Sequence, residues 1–509
     1  MSARWLCRVG LAAALLCSAF TAGAALIQVN PGDNYKKIEG ANPGDEVVIA
    51  PGTYAFRVYL TKQATPTNPI YIHALDPANP PVWDFGTNLV DNAPGDYTAG
   101  DRARGGWQFS GAANYELSGI VFMRCRNAAA NCGAIRYYET TTNLYIHHCL
   151  FVSNDVGITG GTQDSLATIE FSEFNANGNL NAPSSAPTHN IYIYGGYLAM
   201  RYCFLHDSVQ GQNFHIRCRN ATLEYNWFAR AANYEGDLMS DDDLDGAGAG
   251  PFTELLTLRG NVFVQNSHPG NHSQVIAIFN DESIPNLTMS VRALYNTFVG
   301  SYGSSQFIHL SNADGTKMSA EISDNLIYNT TVPYYVETPA AGTVSGVNNW
   351  LGTGASSAGL TGTVAGSSPG FLNAAGGDYH LSVASACRAA ANSSPYGLPG
   401  REYYYNETTN LMWRIRAAAR DIGAFESTST NAPIGPYDPP PQPSLGIKPG
   451  TNSASLTWPL FAQDYSVASS TLTAPAQWQP ATYATLTNAS NVTAIFTATS
   501  PHEFFRLQK

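Results

Sequence analysis

The stretch HNIYIYGGYLAMRYCFLHDSVQGQNFHIRCRNATLEYNWF, His189–Phe228, decides how this chain folds. It holds two copies of one unit. Ile191–Tyr194 and Phe214–Arg217 alternate apolar and variable residues, the period of a β-strand. Each is followed by a second short strand, ending in Cys203-Phe204-Leu205 or Asn226-Trp227-Phe228. With Phe214, Ile216 and Cys218 pointing inward, His215, Arg217 and Arg219 point outward together, a basic cluster on an acidic chain.

Working outward, the apolar residue closing each second strand recurs at Phe122, Phe151, Phe174, Leu205, Phe228, Phe263, Phe298 and Ile327, at spacings of 23 to 35 residues. Variable spacing means loops of variable length on a constant scaffold. Asn226, Asn261, Asn296 and Asn325 hold the polar position in four successive units, which suits a repeated turn because Asn tolerates the left-handed region and bonds nearby backbone. Companion strands read at Ala134–Tyr138, Val156–Gly160, Val275–Phe279 and Phe307–Ser311. Two or three short strands per repeat at this period predict a parallel β-helix, right-handed by the preference of parallel crossovers. A β-sandwich would require hairpin turns between paired strands and would not keep a one-directional phenylalanine register.

On the N-terminal side, Leu26–Phe85 opens with turns, short strands and a short helix around Asn34–Glu39, placed to cap the open end of a solenoid. Thr330–Glu426 reads as last coils and a closing segment. NAPIGPYDPPPQPS, 431–444, is a proline-rich linker. Residues 445–509 alternate again and predict a small C-terminal β-sandwich whose Trp458, Trp478, Phe504 and Phe505 serve its core. The expected class is all-β: a right-handed parallel β-helix over 25–430, the linker, and the sandwich.

Composition narrows function. Only 13% of the 509 residues are charged and the net charge is −12. No basic run exists, which excludes nucleic acid as a partner, and an anionic ligand needs a local basic patch. Arg4 and Arg8, the apolar run Val9–Phe20 and Ala22-Gly23-Ala24 form a secretory signal over 1–24, too short to span a membrane, and no later segment qualifies. A secreted, periplasmic or cell-surface monomer is expected. Cys125 and Cys132 flank the loop CRNAAANC and are candidates for a disulfide in an oxidising compartment. Cys149, Cys203 and Cys218 read as small buried residues.

The blocks HNIYI…NWF, GNVFVQNSHPGNHSQVIAIFND and YNTFVGSYGSSQFIHLSN resemble bacterial secreted right-handed parallel β-helix proteins akin to polysaccharide lyases. NPGDEVVIAPGTY with NPIYIHA is similar to the start of the chondroitinase-B and alginate-lyase group, and DIGAFE to the closing motif of many secreted β-helices. The tail, with Trp458 and Phe504–Leu507, resembles C-terminal modules of Verrucomicrobia-like secreted proteins. Related sequences carry Lys-Ser-Arg where this chain has His215-Ile216-Arg217, and the Arg-His-Gly motif of the alginate-lyase group is absent. The resemblance implies β-elimination on a uronate polysaccharide.

That chemistry needs the carboxylate beside C5 neutralised, a base for the C5 proton and an acid for the leaving oxygen. His215 is the candidate base and Arg217 the bidentate clamp. Tyr192 and Tyr194, one coil earlier, with Arg136, Tyr138, His189 and Arg219, are candidate sugar contacts. Asp241, Asp243 and Asp245 in SDDDLDGAGAG match the start of a calcium loop, though Phe252 stands where its closing acid belongs; Ca2+ is the one cofactor the sequence suggests, against a solvated acidic loop. The alternatives to a lyase are a non-catalytic glycan-binding or adhesin-like surface protein and, with few convergent carboxylates in the strands, a glycoside hydrolase.

Overall fold

The computed structural model of the chain describes residues 24–95, 104–184, 186–241, 244, 250–265, 274–301, 306–391, 397–404, 411–417, 419–427, 429–438, 443–450, 453–462, 465–471, 478–487, 491–497 and 503–508. Residues 1–23, most of the expected signal, and Asp243 and Asp245 lie outside them.

One coil consists of Phe214–Arg217, Asn220–Glu224 and Trp227–Ala229. Each strand pairs in parallel with its equivalents one coil before and one coil after. Repetition builds three all-parallel sheets of 10, 12 and 12 strands among the described residues. The chain is a right-handed parallel β-helix. The sheet containing Phe214–Arg217 is called the first, that containing Asn220–Glu224 the second, and that containing Trp227–Ala229 the third. The short helix Lys36–Glu39 lies at the N-terminal end, where a cap was expected, and buries Ile38.

Period-two alternation sends one set of side chains into the coil interior. Phe214, Ile216 and Cys218 are fully buried there. The phenylalanine register becomes a stack: Phe122, Phe151 and Phe174 lie with ring centroids 5.2 and 4.6 Å apart and planes 7° from parallel.

The asparagine run is a buried hydrogen-bond ladder between the second and third sheets. Each side-chain amide donates to the next: Asn226 to Asn261 at 3.0 Å, Asn261 to Asn296 at 3.0 Å and Asn296 to Asn325 at 2.9 Å. Each also donates to a main-chain carbonyl, Asn261 to Leu223 at 2.8 Å, and its oxygen accepts a main-chain N–H from the previous coil. A second ladder, Asn154–Asn177–Asn190–Asn213, runs at the corner between the third and first sheets and ends on Glu235. The left-handed residue at the first corner is the one before the asparagine, not the asparagine itself: Tyr225, Tyr295 and Asp324 have φ of 56°, 55° and 60°, and Tyr202, before Cys203, has 54°. Asparagine is selected there for its amide, which satisfies buried turn groups that water cannot reach. The non-glycine αL residues stack on one another outside the coil, Phe171 on Tyr202 at 4.8 Å and Tyr202 on Tyr225 at 5.6 Å.

Val364–Gly366 is the last strand of the parallel stack. Beyond it the closing segment turns back along the outside of the coils as two antiparallel strand pairs, Phe371–Asn373 with Asp378–Leu381 and Arg401–Tyr403 with Trp413–Ile415. Arg401 donates to the Tyr202 hydroxyl at 2.9 Å, and the Tyr437 ring stacks on His148 at 4.5 Å. The C-terminal region forms antiparallel sheets of four and three strands. Trp458 is buried and donates to the Ala462 carbonyl at 2.9 Å, a core role as read from sequence. The sandwich core is continuous with Leu294, Tyr295, Leu326 and Trp350 of the coils. Cys125 and Cys132 are buried free thiols, not a disulfide.

Replacing Asn261 orphans the Asn226 main-chain N–H and removes the side-chain donor to the Leu223 carbonyl, while the Asn296 amide oxygen keeps only the Asn261 main-chain N–H. Asn261→Leu is expected to cost about 3 kcal/mol or more, from the penalty for unsatisfied buried groups. Asn79→Ala, on an exposed turn, is expected to change stability by less than about 0.5 kcal/mol; urea titration of both variants checks the contrast.

Candidate functional site

The outer face of the first sheet carries the candidate residues in register. One column of paired positions reads Gln108, Arg136, Thr159, Tyr192, His215 and Asp237. Beside it Tyr194 pairs with Arg217. Successive positions in a column lie about 4.8 Å apart, so Arg136 sits roughly 14 Å from His215, the span of a few sugar rings. Tyr192 and Tyr194 therefore stand on the coil before His215 and Arg217, on the same side.

His215 and Arg217 face out of the coil as parity requires, yet each is only 7% exposed. Their neighbours explain the burial. The His189 ring stacks against His215 at 4.5 Å and 7°, and the Tyr192 ring meets it edge-on at 4.6 Å. His215 Nδ1 lies 3.0 Å from Asp237 Oδ2, and its Nε2 accepts from Arg217 Nε at 3.3 Å. Arg217 is engaged further: it donates to the Ser240 carbonyl at 2.6 Å and forms a two-pronged ion pair with the Asp281 carboxylate. The expected open groove with a clamp awaiting its anion is thus corrected. The clamp already holds a carboxylate of its own chain, because a guanidinium this buried needs a partner.

His189 is corrected too. It is buried, and its Nδ1 accepts from the Gln212 N–H at 3.1 Å, so it backs His215 rather than touching a ligand. Burial, followed by the nearby His215, pushes its pKa well below the ordinary histidine value and keeps it neutral. Arg219 does not join the face: the strand ends at Arg217, and Arg219 lies at the corner before Asn220, where its carbonyl accepts from Leu255. Arg136 lies over the Tyr138 ring at 4.6 Å. Asp241 is buried, and its N–H donates to Glu254 at 2.9 Å. Among the described residues no group of three His, Cys, Asp or Glu side chains is placed to hold a metal.

Asp237 is the residue that sequence reading misses. Gly236–Met239 is a strand of the first sheet. Its signal is weak, four residues with a glycine. That glycine is required: a Cβ at Gly236 would fall 2.0 Å from the Phe214 ring. The telling clue is the interval from Phe228 to Phe263, which must contain one more companion strand to complete its coil. Asp237 is fully buried and also accepts from Gln212 Nε2 at 3.0 Å. Asp281 reaches Arg217 from the coil two strands on.

Burial pushes the Asp237 carboxyl up to about 7, against the pull of His189 and Arg217. Burial likewise takes Glu235, the end of the second asparagine ladder, up to about 8, and Glu254 to about 8. The arrangement is a histidine held by a buried carboxyl, an arginine beside it, and half-exposed phenols in line, a set able to exchange a proton next to a positive charge.

No protein-family model matches the sequence, and no curated protein matches it. Among solved structures the chain is similar to the pectate lyase Pel9A, at 14% identity and a TM-score of 0.44, covering 80% of this chain and 97% of that one. It is also similar to an alginate lyase from Paenibacillus sp. str. FPU-7, at 12% identity and 0.39, over 66% of this chain and 97% of that one. A third likeness is the catalytic unit of a GH87 α-1,3-glucanase from Streptomyces thermodiastaticus, at 15% and 0.40, over 67% and 66%.

The three raised carboxyls make stability depend on pH in a definite direction. Unfolded, they release protons near the ordinary value of about 4; folded, they keep them to about 7 or 8, so stability declines as pH rises through that range. Above about pH 6.5, where neutral His189 no longer opposes them, melting temperature is expected to fall toward about pH 8, and Glu235→Gln, neutral at every pH, to flatten the slope.

Proposed function

We propose that the chain is a carbohydrate-active β-helix protein that cleaves a uronate polysaccharide by β-elimination at His215. The observation that carries this is the His215–Asp237 pair: an outward-facing imidazole, fixed by a buried carboxyl on the next coil, beside Arg217 and beneath the half-exposed Tyr192. The sequence resemblance to secreted β-helix proteins akin to lyases agrees with it.

The sugar chain lies along the column from Arg136 to His215, one ring spanning one to two coils. Asp237 holds His215 Nδ1–H and so leaves Nε2 as the basic nitrogen. The substrate carboxylate displaces Asp281 from Arg217, which withdraws charge from C5 and frees Nε2 to take the C5 proton. The Tyr192 or Tyr194 hydroxyl donates its proton to the leaving oxygen. The products are a reducing end and an unsaturated uronate.

A second reading has an observation of its own. The 7% exposure of His215 and the Arg217–Asp281 pair suit a non-catalytic face that binds glycans without cutting them. Secretion, calcium at Asp241, Asp243 and Asp245, and a monomeric state remain proposals beside either reading.

A panel of pectate, alginate and glycosaminoglycan polymers, followed by ultraviolet absorbance of the unsaturated product, separates the two. Growth of absorbance with the parent chain, abolished by His215→Ala, supports the lyase. Arg217→Lys is expected to lose at least about tenfold despite keeping the charge, since the fork is lost. Binding of a polymer with no absorbance change from any of them contradicts the lyase and favours the binding face.

A further inference from the structure

A second site lies away from the first sheet, where the end of the second sheet meets the C-terminal sandwich. The terminal positions of successive second-sheet strands are paired in the order Glu170, Arg201, Glu224 and Arg259. Charge alternates along this column, and the early pairs are made: Arg201 bonds Glu170 at 3.0 Å and Glu224 at 3.2 Å. Cross-strand pairing of this kind is ordinary sheet stabilisation. The alternation breaks at Arg259. The next position is Leu294, and Glu224 is 3.9 Å away. Arg259 donates through Nη2 to the Gly397 and Leu398 carbonyls, and its Nε is buried without a hydrogen-bond partner.

Arg401, from the returning segment, adds a third guanidinium to the same place. All three act on one phenol. Burial raises the Tyr225 pKa, while Arg259, Arg401 and Arg201 each pull it down. Between these groups and the sandwich is a cavity of about 400 Å3. Its sandwich wall supplies Tyr465, Tyr483, Thr485 and Thr487, and Glu224 is the one carboxylate lining it among the described residues. With Glu170 on Arg201 counted, three arginines stand against two carboxylates among the described residues, which leaves one surplus positive charge on a chain whose net charge is −12. Rings and hydroxyls opposite guanidinium groups match a sugar that carries an anion: the carboxylate takes the forked donors, and the ring lies against tyrosine.

We infer that this cleft between the coils and the C-terminal sandwich binds a uronate residue, so that the sandwich and the coils together form an anchoring site distinct from the His215 face. The identity of the sugar as a uronate rests on the proposed function; the anion and the cleft rest on the arginines. The site explains why the sandwich core is continuous with the coils rather than swinging from a linker. A ligand-binding wall contributed by two units needs them held in register.

The test uses the full chain carrying Thr485→Cys, an exposed position on the cavity wall. The native cysteines among the described residues are buried, and Cys7 and Cys17 are replaced by serine, so maleimide reports on the introduced thiol. Trimers of galacturonate and of mannuronate are expected to slow alkylation several-fold, with maltotriose leaving the rate unchanged. Adding Arg259→Met is expected to remove the protection, and the milder Arg259→Lys to reduce it, with melting temperature followed for each variant. Equal rates with and without both uronates, equal protection by maltotriose, or protection that survives both Arg259 variants would overturn the inference. Alkylation needs no turnover. A chain that protects the thiol but yields no unsaturated product keeps this site and loses the lyase; the reverse result loses only this site.

Discussion

The structure depends on one constraint: every coil must return to the same corner, so that buried turn amides meet their partners one coil away. Two asparagine ladders enforce it. From Asn226 to Asn325 an amide oxygen accepts from the preceding coil while the amide nitrogen donates to the following one; in the second ladder the Asn177–Asn190 link lies within one corner and the links on either side of it cross between coils, and all these groups are buried. A slipped coil would leave several buried donors unpaired, at a cost comparable to a large share of a domain's net stability. Because the corners cannot drift, residues at equal positions on successive coils fall into columns. The column from Gln108 to Asp237 is a consequence of that registration.

The same registration explains how an outward histidine can be buried. Side chains in a column stack at the spacing of strands, and long ones close over one another. His189 and Tyr192 cover His215, while Asp281, Ser240 and Asp237 surround the His215–Arg217 pair. A charged group so enclosed persists only with its partners in place. Hence a carboxyl beneath the histidine and another on the arginine. Under the proposed function an incoming anion exchanges with Asp281, so that substrate binding and activation of His215 are one event. The lateral surface behaves in the same way. The returning segment packs Trp413, Arg401 and Tyr437 onto the αL aromatics of the corner, covering rings that a bare solenoid would expose.

Much of the fold was legible. The phenylalanine spacing gives the interior stack directly, and the alternation in Ile191–Tyr194 and Phe214–Arg217 predicts both strands with their observed bounds. Asn226, Asn261, Asn296 and Asn325 mark one ladder. The other escaped because its members, Asn154, Asn177, Asn190 and Asn213, sit at irregular intervals set by loop insertions. The site was legible only by half. Parity places His215, Arg217, Tyr192 and Tyr194 on one face, since parity is local. Asp237 and Asp281 come from other coils, and their arrival depends on loop lengths that local periodicity does not encode. Arg219 was misplaced because parity was carried one residue pair past the end of its strand. Burial of the outer face was invisible for a similar reason: it arises from neighbours in columns, not along the chain.

The central claim is that Asp237 fixes His215 for proton abstraction. It is tested most directly by the initial rate of unsaturated-uronate formation in Asp237→Asn, alongside its melting temperature. Asparagine keeps the shape, and it removes a carboxyl whose burial is already costly, so the fold is expected to survive with a melting temperature at least as high at alkaline pH. The rate is expected to fall by about a hundredfold or more, the scale of a lost proton-transfer arrangement. A folded Asp237→Asn chain that forms product at the parental rate would contradict the account.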